Sequence, residues 1–483
     1  MAEEISRRDF LRAAALGLVG ATLVPAYARS VLAGTPAALA GMERGWERVP
    51  GILRRIRPPV FPARDFVITS YGAVGDGAAD CTEAFRKAIA ACAGAGGGRV
   101  VVPDGRFLTG PIHLRSKVNL HVTRGATVAF ATDPQQYTPL VFTRWEGTEL
   151  MGLSPLIYAF EQEDIAVTGE GLLDGQADES HWWPWKGRAG GQTNQIPART
   201  RLMQMAEQGV PVGQRVFGPE AMLRPQFVQP YRCQNVLIEG VTIRRSPMWE
   251  LHPVLCRNVT VRNVTIETHG PNNDGCDPES CRDVLIEGCS FDTGDDCIAI
   301  KSGRNADGRR LHTPSEDLVI RDCRMKDGHG GVSLGSENSG GIRNVFIEKC
   351  RMDSPHLERA LRLKTNAMRG GFLTGIYMRD VTVGQVAVAV LDIDFNYEEG
   401  PRGPFRPDVH DIELRGVTSG RSQYGVYLRG FRDDLIRDVR ILGCTFENVA
   451  KPNVVENAAD VKVENTSMNG QPLHVQATLS PAA

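Results

Sequence analysis

The sequence predicts an all-β fold in which short strands stack coil upon coil into a parallel β-helix (solenoid). The main observation is a nine-residue phrase, Asn-Val-Leu-Ile-Glu-Gly-Val-Thr-Ile at 235–243, that recurs towards the end of the chain. Its copies begin at Asn235, Asn258, Asp283, Asp317, Asn344, Gly375, Asp411, Asp438 and Asp460. The spacing runs from 22 residues (438 to 460) to 36 residues (375 to 411), a period typical of repeat proteins whose coils each add strands to long sheets. Weaker copies near Asn119 and Asp164 extend the repeat back towards residue 100, and the shared phrase argues against an all-β sandwich.

A second ladder of strand-like segments follows the first and supports the same register. Its members begin at Cys276, Cys297, Gly331, Ala360, Val388 and Gly425. Nine of the 11 cysteines also follow the repeat, as expected for small apolar side chains stacked in the interior of the coils. No pair of cysteines has the spacing of a zinc site, so no metal is predicted from them.

The N-terminal residues predict an export signal. Ser6-Arg7-Arg8-Asp9-Phe10-Leu11-Arg12 fits the twin-arginine pattern, a weakly hydrophobic run follows, and Ala26-Tyr27-Ala28 offers a cleavage site. We therefore expect a signal peptide over 1–28 and a bacterial protein that is exported folded to the periplasm or the medium. The run is too short to anchor the protein in a membrane, and folding in a reducing cytosol would leave mostly free thiols.

The rest of the chain divides into an arm, a catalytic domain and a tail. Residues 29–62 are predicted to be a linker or wrapping arm, 63–470 the β-helix domain, and 471–483 a C-terminal tail. Near the start of this domain, Asp80 and Thr82 can begin a capping helix. Its apolar face comprises Ala84, Phe85, Ala88, Ile89 and Cys92. The glycine turn before it lacks the Gly-Lys-Ser/Thr ending of a phosphate loop, which argues against a nucleotide site.

Composition excludes some partners. The formal charge is −2, with 55 Lys and Arg against 57 Asp and Glu, so no broad attraction to nucleic acid or to anionic membranes is expected. An acidic substrate would have to be bound by a few cations at defined positions. The oligomeric state is not indicated.

Four clusters of polar residues carry the chemistry. They are Asn272-Asn273-Asp274, Gly294-Asp295-Asp296, Gly328-His329-Gly330 and Arg362-Leu363-Lys364. Because Asp274 and Asp295 are 21 residues apart, about one coil, we expect them to stack at the inter-strand distance of ~4.8 Å. Mutual repulsion should then raise at least one pKa, and an acid beside a base is what hydrolysis of a glycosidic bond requires. A calcium site is the alternative, but that ion would have no use for the nearby histidine and cations.

His329 can orient or protonate a carboxyl group of the cluster. Arg362 and Lys364 alternate around Leu363, so both should point out of the sheet. They could neutralise the acidic cluster or bind the carboxylate of a uronic acid.

These four clusters resemble the motifs of family 28 glycoside hydrolases, the polygalacturonase family, in the same order. The likeness covers about residues 63–470, with mild departures at Asn273 and Leu363. It implies a right-handed parallel β-helix, no cofactor, and hydrolysis of galacturonosidic bonds with inversion. By the resemblance Asp295 is the general acid, Asp274 and Asp296 activate water, and His329 supports the acid. Arg362 and Lys364 would bind galacturonate, and Asn272 and Lys301 are further candidates for substrate binding.

Other functions remain alternatives at this point. A calcium-dependent pectate lyase, a non-catalytic carbohydrate-binding β-helix and a rhamnogalacturonan hydrolase share parts of the pattern. The carboxylate trio argues against the non-catalytic protein, while His329 and the Arg-x-Lys pair argue against the rhamnogalacturonan type. A separation of one coil would indicate a retaining enzyme by the general distance rule, whereas the family resemblance implies inversion.

An insert at about 176–232 interrupts the repeat. It holds His181-Trp182-Trp183-Pro184-Trp185 and the arginines 201, 215 and 224. The tryptophans can stack on sugars or pack the insert onto the solenoid. Because such an insert can close one end of a groove, and because it resembles that of bacterial exo-polygalacturonases, we predict exo attack that releases mono- or digalacturonate.

Overall fold

The computed structural model describes residues 45–187 and 193–480, which form a right-handed parallel β-helix with three long faces. Sheet 1 has 13 strands: Asp65–Val67, Gly98–Val102, Val118–Val122, Glu163–Gly169, Gln234–Glu239, Arg257–Arg262, Arg282–Glu287, Ser315–Arg321, Ile342–Glu348, Phe372–Arg379, Asp408–Arg415, Ile436–Leu442 and Ala458–Glu464. Every repeat of the sequence phrase, including the weak copies, begins in this sheet, and each strand pairs in parallel with the corresponding strand of the next coil. The predicted architecture is therefore confirmed.

Sheet 2 continues each phrase after a turn and has 14 strands: Asp76–Asp80, Gly105–Thr109, Ala126–Phe130, Leu172–Asp174, Thr242–Arg244, Thr265–Thr268, Ser290–Thr293, Arg324–Met325, Arg351–Met352, Thr382–Val383, Thr418–Ser419, Thr445–Phe446, Ser467–Met468 and Gln471–Pro472. Its last pair is antiparallel, and the second strand of that pair, Gln471–Pro472, lies in the predicted tail. The tail therefore packs on the final coil.

Sheet 3 is the predicted second ladder. Three strands, Ile112–His113, Ile157–Phe160 and Val228–Tyr231, are followed by six, Ile298–Ile300, Val332–Leu334, Arg359–Lys364, Ala389–Asp394, Tyr424–Arg429 and Val454–Glu456. Single bridges through Leu251 and Cys276 join the two groups. Strand Val228–Tyr231 falls within the predicted insert, so the solenoid resumes earlier than the sequence pattern indicates.

The backbone conformation at the first residue of each phrase favours Asn, Asp or Gly. Asn235, Asn258 and Asp283 have φ of 56°, 58° and 58°, in the left-handed region that these residues tolerate best. Their side chains also stack between coils, since Asn258 Nδ2 donates to Asn235 Oδ1 at 2.7 Å. The alternating Val, Ile and Leu residues that follow fill the interior, and all eleven cysteines lie buried as free thiols.

In the described part of the chain, four α-helices lie outside the sheets: α1 Val49–Arg55, α2 Thr82–Gly94, α3 Ile196–Glu207 and α4 Asn305–Leu311. Short 3₁₀ helices cover Trp46–Arg48, Ile68–Tyr71, Pro134–Tyr137, Trp183–Lys186, Val212–Gln214 and Pro219–Ala221. Helix α2 is the predicted one: its expected apolar face is buried, and Asp80 accepts hydrogen bonds from Thr82 at the start. It packs against the first strands of the solenoid, and its role as a cap stays a prediction.

The described part of the predicted arm packs on the outer face of sheet 1. Trp46 and Ile52 are buried against Phe346 and Tyr377. Arg48 donates a hydrogen bond to the side chain of Asn344, the first residue of a repeated phrase in sheet 1, at 2.6 Å. The export signal and the rest of the arm lie outside the described residues. Among residues 45–187 and 193–480, no helix combines the length and apolar character needed to cross a membrane.

Two segments that leave the coils, which we call the two excursions, contribute residues to the pocket that Asp274 and Asp295 line. One is the insert, which contains α3. The other is an antiparallel hairpin, Val141–Trp145 with Thr148–Gly152, that the sequence pattern does not indicate. Its tip holds Glu146 and Gly147.

Candidate active site

Three carboxylates meet in the segment between sheets 2 and 3, on two consecutive coils. The Asp295 N–H donates to the Asn273 carbonyl at 3.2 Å, and the Gly275 N–H donates to the Asp296 carbonyl at 2.9 Å. This stacking brings carboxylate oxygens of Asp274, Asp295 and Asp296 within 4.8 Å of one another. The prediction that Asp274 and Asp295 stack one coil apart is confirmed.

His329 begins the next coil and binds Asp295. Its Nδ1 lies 3.0 Å from Asp295 Oδ1, and its side chain is 39% exposed. This hydrogen bond raises the pKa of His329 to about 9 against the opposing effect of burial, with the Asp295 charge adding to it. Burial works to raise the pKa of Asp295, but the hydrogen bond and charge of His329 outweigh it and hold the pKa below its ordinary value. The two groups therefore form an imidazolium–carboxylate pair at neutral pH.

Asp274 has the opposite electrostatics. It is buried, and its Oδ1 has no hydrogen-bond partner among the described residues. Burial, followed by the charges of Asp295 and Asp277, raises its pKa well above the ordinary value, although Lys301 lies 3.7 Å away. Asp274 therefore keeps its proton to a higher pH than an exposed aspartate does.

Asp296 is held by groups from the following two coils. Ser333 Oγ donates to Oδ1 at 2.8 Å, and the Lys364 ammonium donates to Oδ2. Arg362 Nη1 lies 3.8 Å from Oδ1. Of the two roles considered for the cations, Lys364 thus serves as a counter-ion within the site, while Arg362 is only loosely paired. Leu363 between them is buried, so the predicted alternation of this strand is confirmed.

The glycines beside His329 allow the coils to approach the carboxylates. A Cβ on Gly330 would lie 2.3 Å from Ser333 Oγ and 3.0 Å from Asp296 Oδ1. A Cβ on Gly328, which has φ of +150°, would lie 2.6 Å from the Asp295 carbonyl oxygen. The motif therefore needs glycine to avoid a clash within the protein, whatever room it also leaves for a ligand.

Asp274, Asp295, His329, Arg362 and Lys364 line a pocket of about 400 Å³, whereas Asp296 is fully buried and is not part of the pocket lining. Several other lining residues were missed by the sequence analysis. The missed residues are Glu146, Lys186, Arg199, Trp249, Arg304, Ser336, Glu337, Glu358, Tyr397 and Glu398. Arg304 and Glu337 lie four and three residues after the ends of two strands of sheet 3, Ile298–Ile300 and Val332–Leu334, and this position in the repeat is a signal that could have found them. Glu146 and Arg199 occur in segments without a period, so the sequence carries no comparable signal.

Ion pairs join the two excursions to the coils along one side of the pocket. Arg199 Nε lies 2.6 Å from Glu146 Oε2, and Arg304 lies 3.3 Å from Glu337 and 3.0 Å from Glu398. We call these five residues the charged wall. Because Glu146 comes from the hairpin and Arg199 from the insert, the wall closes this side with parts that the solenoid itself does not supply.

The tryptophans of the insert pack the insert onto the protein. Trp182 is buried and contacts Tyr137 and Trp185 edge to face, with ring centroids 5.4 and 4.9 Å away. Trp183 Nε1 donates to the Ser246 carbonyl at 2.9 Å. The pocket is lined instead by Trp249, whose ring centroid lies 4.2 Å from Lys301 Nζ, and by Tyr397.

The arginines of the insert also have structural contacts. Arg215 pairs with Asp307 at 2.8 Å, and Arg201 lies over Phe217. Arg224 donates to Asn272 Oδ1 at 2.7 Å. These contacts hold the insert against the coils.

Asn272 and Lys301, the other predicted binding residues, both line the pocket. Asn272 is held by Arg224. The Lys301 ammonium is buried between Glu337 at 3.3 Å and Asp274 at 3.7 Å. Their contact with substrate stays a prediction, and Lys301 is placed to position Asp274.

Two further acids lie beneath the pocket. Glu250 and Asp277 are fully buried, and their carboxylate oxygens have no hydrogen-bond partner within the described ranges. Burial, above all other influences, raises the pKa of each well above its ordinary value. They add little negative charge to the site while they remain protonated.

The charge pattern fits proton transfer better than calcium binding. Asp295 has His329, Asp296 has Lys364 and Asp274 has Lys301 as cationic neighbours. A calcium ion would need these oxygens for itself. The arrangement instead holds protons at defined positions beside ionised carboxylates.

Comparison with known proteins gives a consistent result. The sequence model of glycosyl hydrolases family 28 matches residues 219–466. A probable polygalacturonase of Vitis vinifera is 28% identical over 80% of this chain and 75% of its own length. The crystal structure of a hyperthermoactive exopolygalacturonase from Thermotoga maritima is 45% identical, with a TM-score of 0.86 over 89% of this chain and 97% of that one. A family 28 exopolygalacturonase from Yersinia enterocolitica, 20% identical with a TM-score of 0.71 over 86% of this chain and 77% of that one, shares the fold.

Proposed function

Because the chain belongs to glycosyl hydrolases family 28, it is a glycoside hydrolase of the polygalacturonase family, and we propose that it removes galacturonate units from the ends of polygalacturonate chains. The observation that carries exo attack is the charged wall, which we interpret as closing one side of the pocket that Asp274 and Asp295 line. On its other side the pocket shares His329 and Glu358 with a second cavity of about 490 Å³. A chain end can enter the closed part while the rest of the polymer lies in the second cavity.

The roles of the acids follow the family resemblance. Asp295 protonates the oxygen of the scissile bond, and His329 supports it through the Nδ1 hydrogen bond. Asp274 and Asp296 activate the attacking water, and Asp274 accepts the proton of the water after giving its own proton to Asp295. The Lys364 ammonium donates to Asp296 Oδ2 and so places a positive charge beside this carboxyl group.

The protonation pattern makes these groups one titrating unit. In this structure the Asp274 carboxyl has the raised pKa and the Asp295 carboxyl the lowered one, while His329 carries a proton beside Asp295. Asp295 must therefore receive a proton before it can give one to the leaving oxygen. Both of its neighbours hold one, so the unit contains the proton that the reaction needs.

Arg362 is placed to bind the substrate carboxylate. Its nearest carboxylate, Asp296, is 3.8 Å away, and its guanidinium lies 5.7 Å from the ring centroid of Tyr397. It therefore retains donors for a charge-assisted contact with a uronate.

We propose inversion at the anomeric carbon, as the resemblance implies. The carboxylate oxygens lie within 4.8 Å of one another, closer than the roughly 6.5–9.5 Å that the general rule gives for inverting enzymes. Proton NMR during the first turnovers distinguishes the outcomes: a β-anomeric product supports inversion, and an α-anomeric product contradicts it.

Oligogalacturonates labelled at the reducing end test the mode of attack. Exo action from the non-reducing end should shorten the labelled chain stepwise and release mono- or digalacturonate from the first minutes. The viscosity of polygalacturonate should then fall slowly relative to the reducing ends formed. A rapid fall in viscosity with a ladder of mid-length products would show an open groove.

We propose twin-arginine export to the periplasm or medium on the motif at Ser6–Arg12. Replacing Arg7 and Arg8 by Lys should retain the precursor in the cytoplasm of a bacterial host, while the unaltered protein appears in the periplasmic fraction without a signal peptide. Equal export of both would contradict the proposal.

A further inference from the structure

Lys186 differs from its cationic neighbours in the pocket. Arg199, Arg304 and Lys301 each have a carboxylate oxygen within 3.3 Å, and Lys364 binds Asp296. Within residues 45–187 and 193–480, no carboxylate oxygen lies within ion-pair distance of Lys186 Nζ, although the side chain is half-buried and lines the pocket.

The surroundings make this unpaired charge costly. Burial lowers the pKa of Lys186, and the charges of Arg224 and Arg199 lower it further, while Glu146 and Asp295 act in the opposite direction. A half-buried ammonium without an ion-pair partner is unfavourable because it loses part of its hydration without gaining an ion pair. A ligand carboxylate in the pocket would remove this cost.

The position of Lys186 indicates which carboxylate that is. Lys186 ends the 3₁₀ helix Trp183–Lys186 of the insert, on the part of the molecule that supplies Arg199 to the charged wall. Lys186 and Asp295 line the same pocket of about 400 Å³, so a sugar bound against Asp295 lies in the same small space as Lys186. Arg362 comes from sheet 3 and is the other loosely paired cation. Lys186 and Arg362 are therefore two cations on separate elements, and each can bind the carboxylate of one of two successive uronates.

We propose that Lys186 binds the carboxylate of the non-reducing terminal uronate in the closed part of the pocket, and so acts as a specificity-determining residue. This inference rests on the proposed exo function. The structure assigns Arg362 to the carboxylate of the neighbouring sugar.

The test compares Lys186→Met, which keeps the length of the side chain and removes the charge, with Lys186→Arg, which keeps the charge. The substrates are trigalacturonate and the same trisaccharide with only its non-reducing terminal carboxyl reduced to the alcohol. Lys186→Met should raise KM for trigalacturonate by about 10- to 100-fold, as for the loss of one charge-assisted contact, with a smaller change in kcat. Lys186→Arg should recover most of this loss.

On the reduced substrate the unaltered enzyme should already show the raised KM, and Lys186→Met should add nothing to it. An equal loss on both substrates, or no loss on either, would overturn the inference. If the unaltered protein hydrolyses neither substrate, the proposed function fails, and calorimetric titration with trigalacturonate decides the inference separately. Binding that Lys186→Met weakens at least tenfold supports it, and equal or absent binding overturns it.

Discussion

Replacing His329 by Gln tests whether protonated His329 takes part in the action of Asp295 as the general acid. In the unaltered enzyme the pKa of His329 is raised from 6.5 to about 9 by Asp295, so kcat/KM, which reports the free enzyme, should lose activity at alkaline pH near 9. The change of about 2.5 pH units corresponds to roughly 3.4 kcal/mol of interaction between the two charged groups. Because the side chain is 39% exposed, solvent screening reduces this to about 1.5 kcal/mol of stability.

In His329→Gln the acid is Asp295 alone. Its pKa rises because the imidazolium is gone and burial acts unopposed by it, but a buried carboxyl reaches only about 3–5 units above its ordinary value. The charges of Lys364 and Lys301 still lower this pKa and so favour the lower end of that range, which places the alkaline limb about two pH units lower. The value of kcat should fall about 10- to 100-fold for the loss of a charge-assisted hydrogen bond. The measurement is kcat/KM on trigalacturonate from pH 4 to 10.

The stability change has a definite sign. A histidine whose pKa is raised on folding stabilises the protein fully below pH 6.5, and this contribution is lost as the pH rises through 9. Urea denaturation should therefore show His329→Gln to be less stable at pH 6 and equal at pH 10. His410→Gln is the matched control, since His410 lies 2.9 Å from Asp408 with a side-chain exposure of 37%. A variant whose alkaline limb coincides with that of the unaltered enzyme would show that His329 only orients Asp295.

Four other substitutions give separate tests. Asp295→Asn should lower kcat by about 10²–10⁴-fold with unchanged calorimetric affinity for trigalacturonate, and retention of a tenth of the activity would contradict the role of acid. Arg362→Gln should raise KM about 10- to 100-fold for galacturonate but not for a carboxyl-reduced analogue. Lys364→Met should instead lower kcat on both of these substrates, because breaking the buried ion pair with Asp296 costs about 3–5 kcal/mol. If Lys364→Met affected only the galacturonate substrate and Arg362→Gln affected both, the roles of the two cations would have to be exchanged. Trp46→Ala should lower the free energy of unfolding by about 3–5 kcal/mol without changing kcat, because the ring packs on Phe346 on the outer face of sheet 1, and an unchanged urea midpoint would contradict its contribution.

The sequence predicts those parts of the fold that repeat. Asn258 and Asp283 mark their strands because the left-handed backbone at these positions favours the same few residue types in every coil. The relation of Asp274 to Asp295 follows from the same period. The hairpin tip at Glu146 was not predicted, because it occurs once and its position depends on Arg199, 53 residues later.

The sequence motifs also predict which residues belong to the site better than they predict which of these residues pair with each other. Arg362 and Lys364 are correctly placed on one face of a strand by alternation. The difference between them depends on Asp296, which Lys364 contacts directly and Arg362 approaches only to 3.8 Å. Such distances depend on side-chain length and tilt across coils, which the order of residues does not specify.

The solenoid explains why the cations come from different coils. The neighbouring cation of Asp295 lies one coil further on, at His329, and that of Asp296 lies two coils further on, at Lys364. Successive coils are ~4.8 Å apart, so a short imidazole spans one step and a long lysine two. A shift of one residue in either strand would turn its cation into the core, because alternate residues face opposite sides. The protonation pattern of the site is therefore a consequence of strand register, while the charged wall that favours exo attack is built by the hairpin, the insert and the loops, and can vary without disturbing that register.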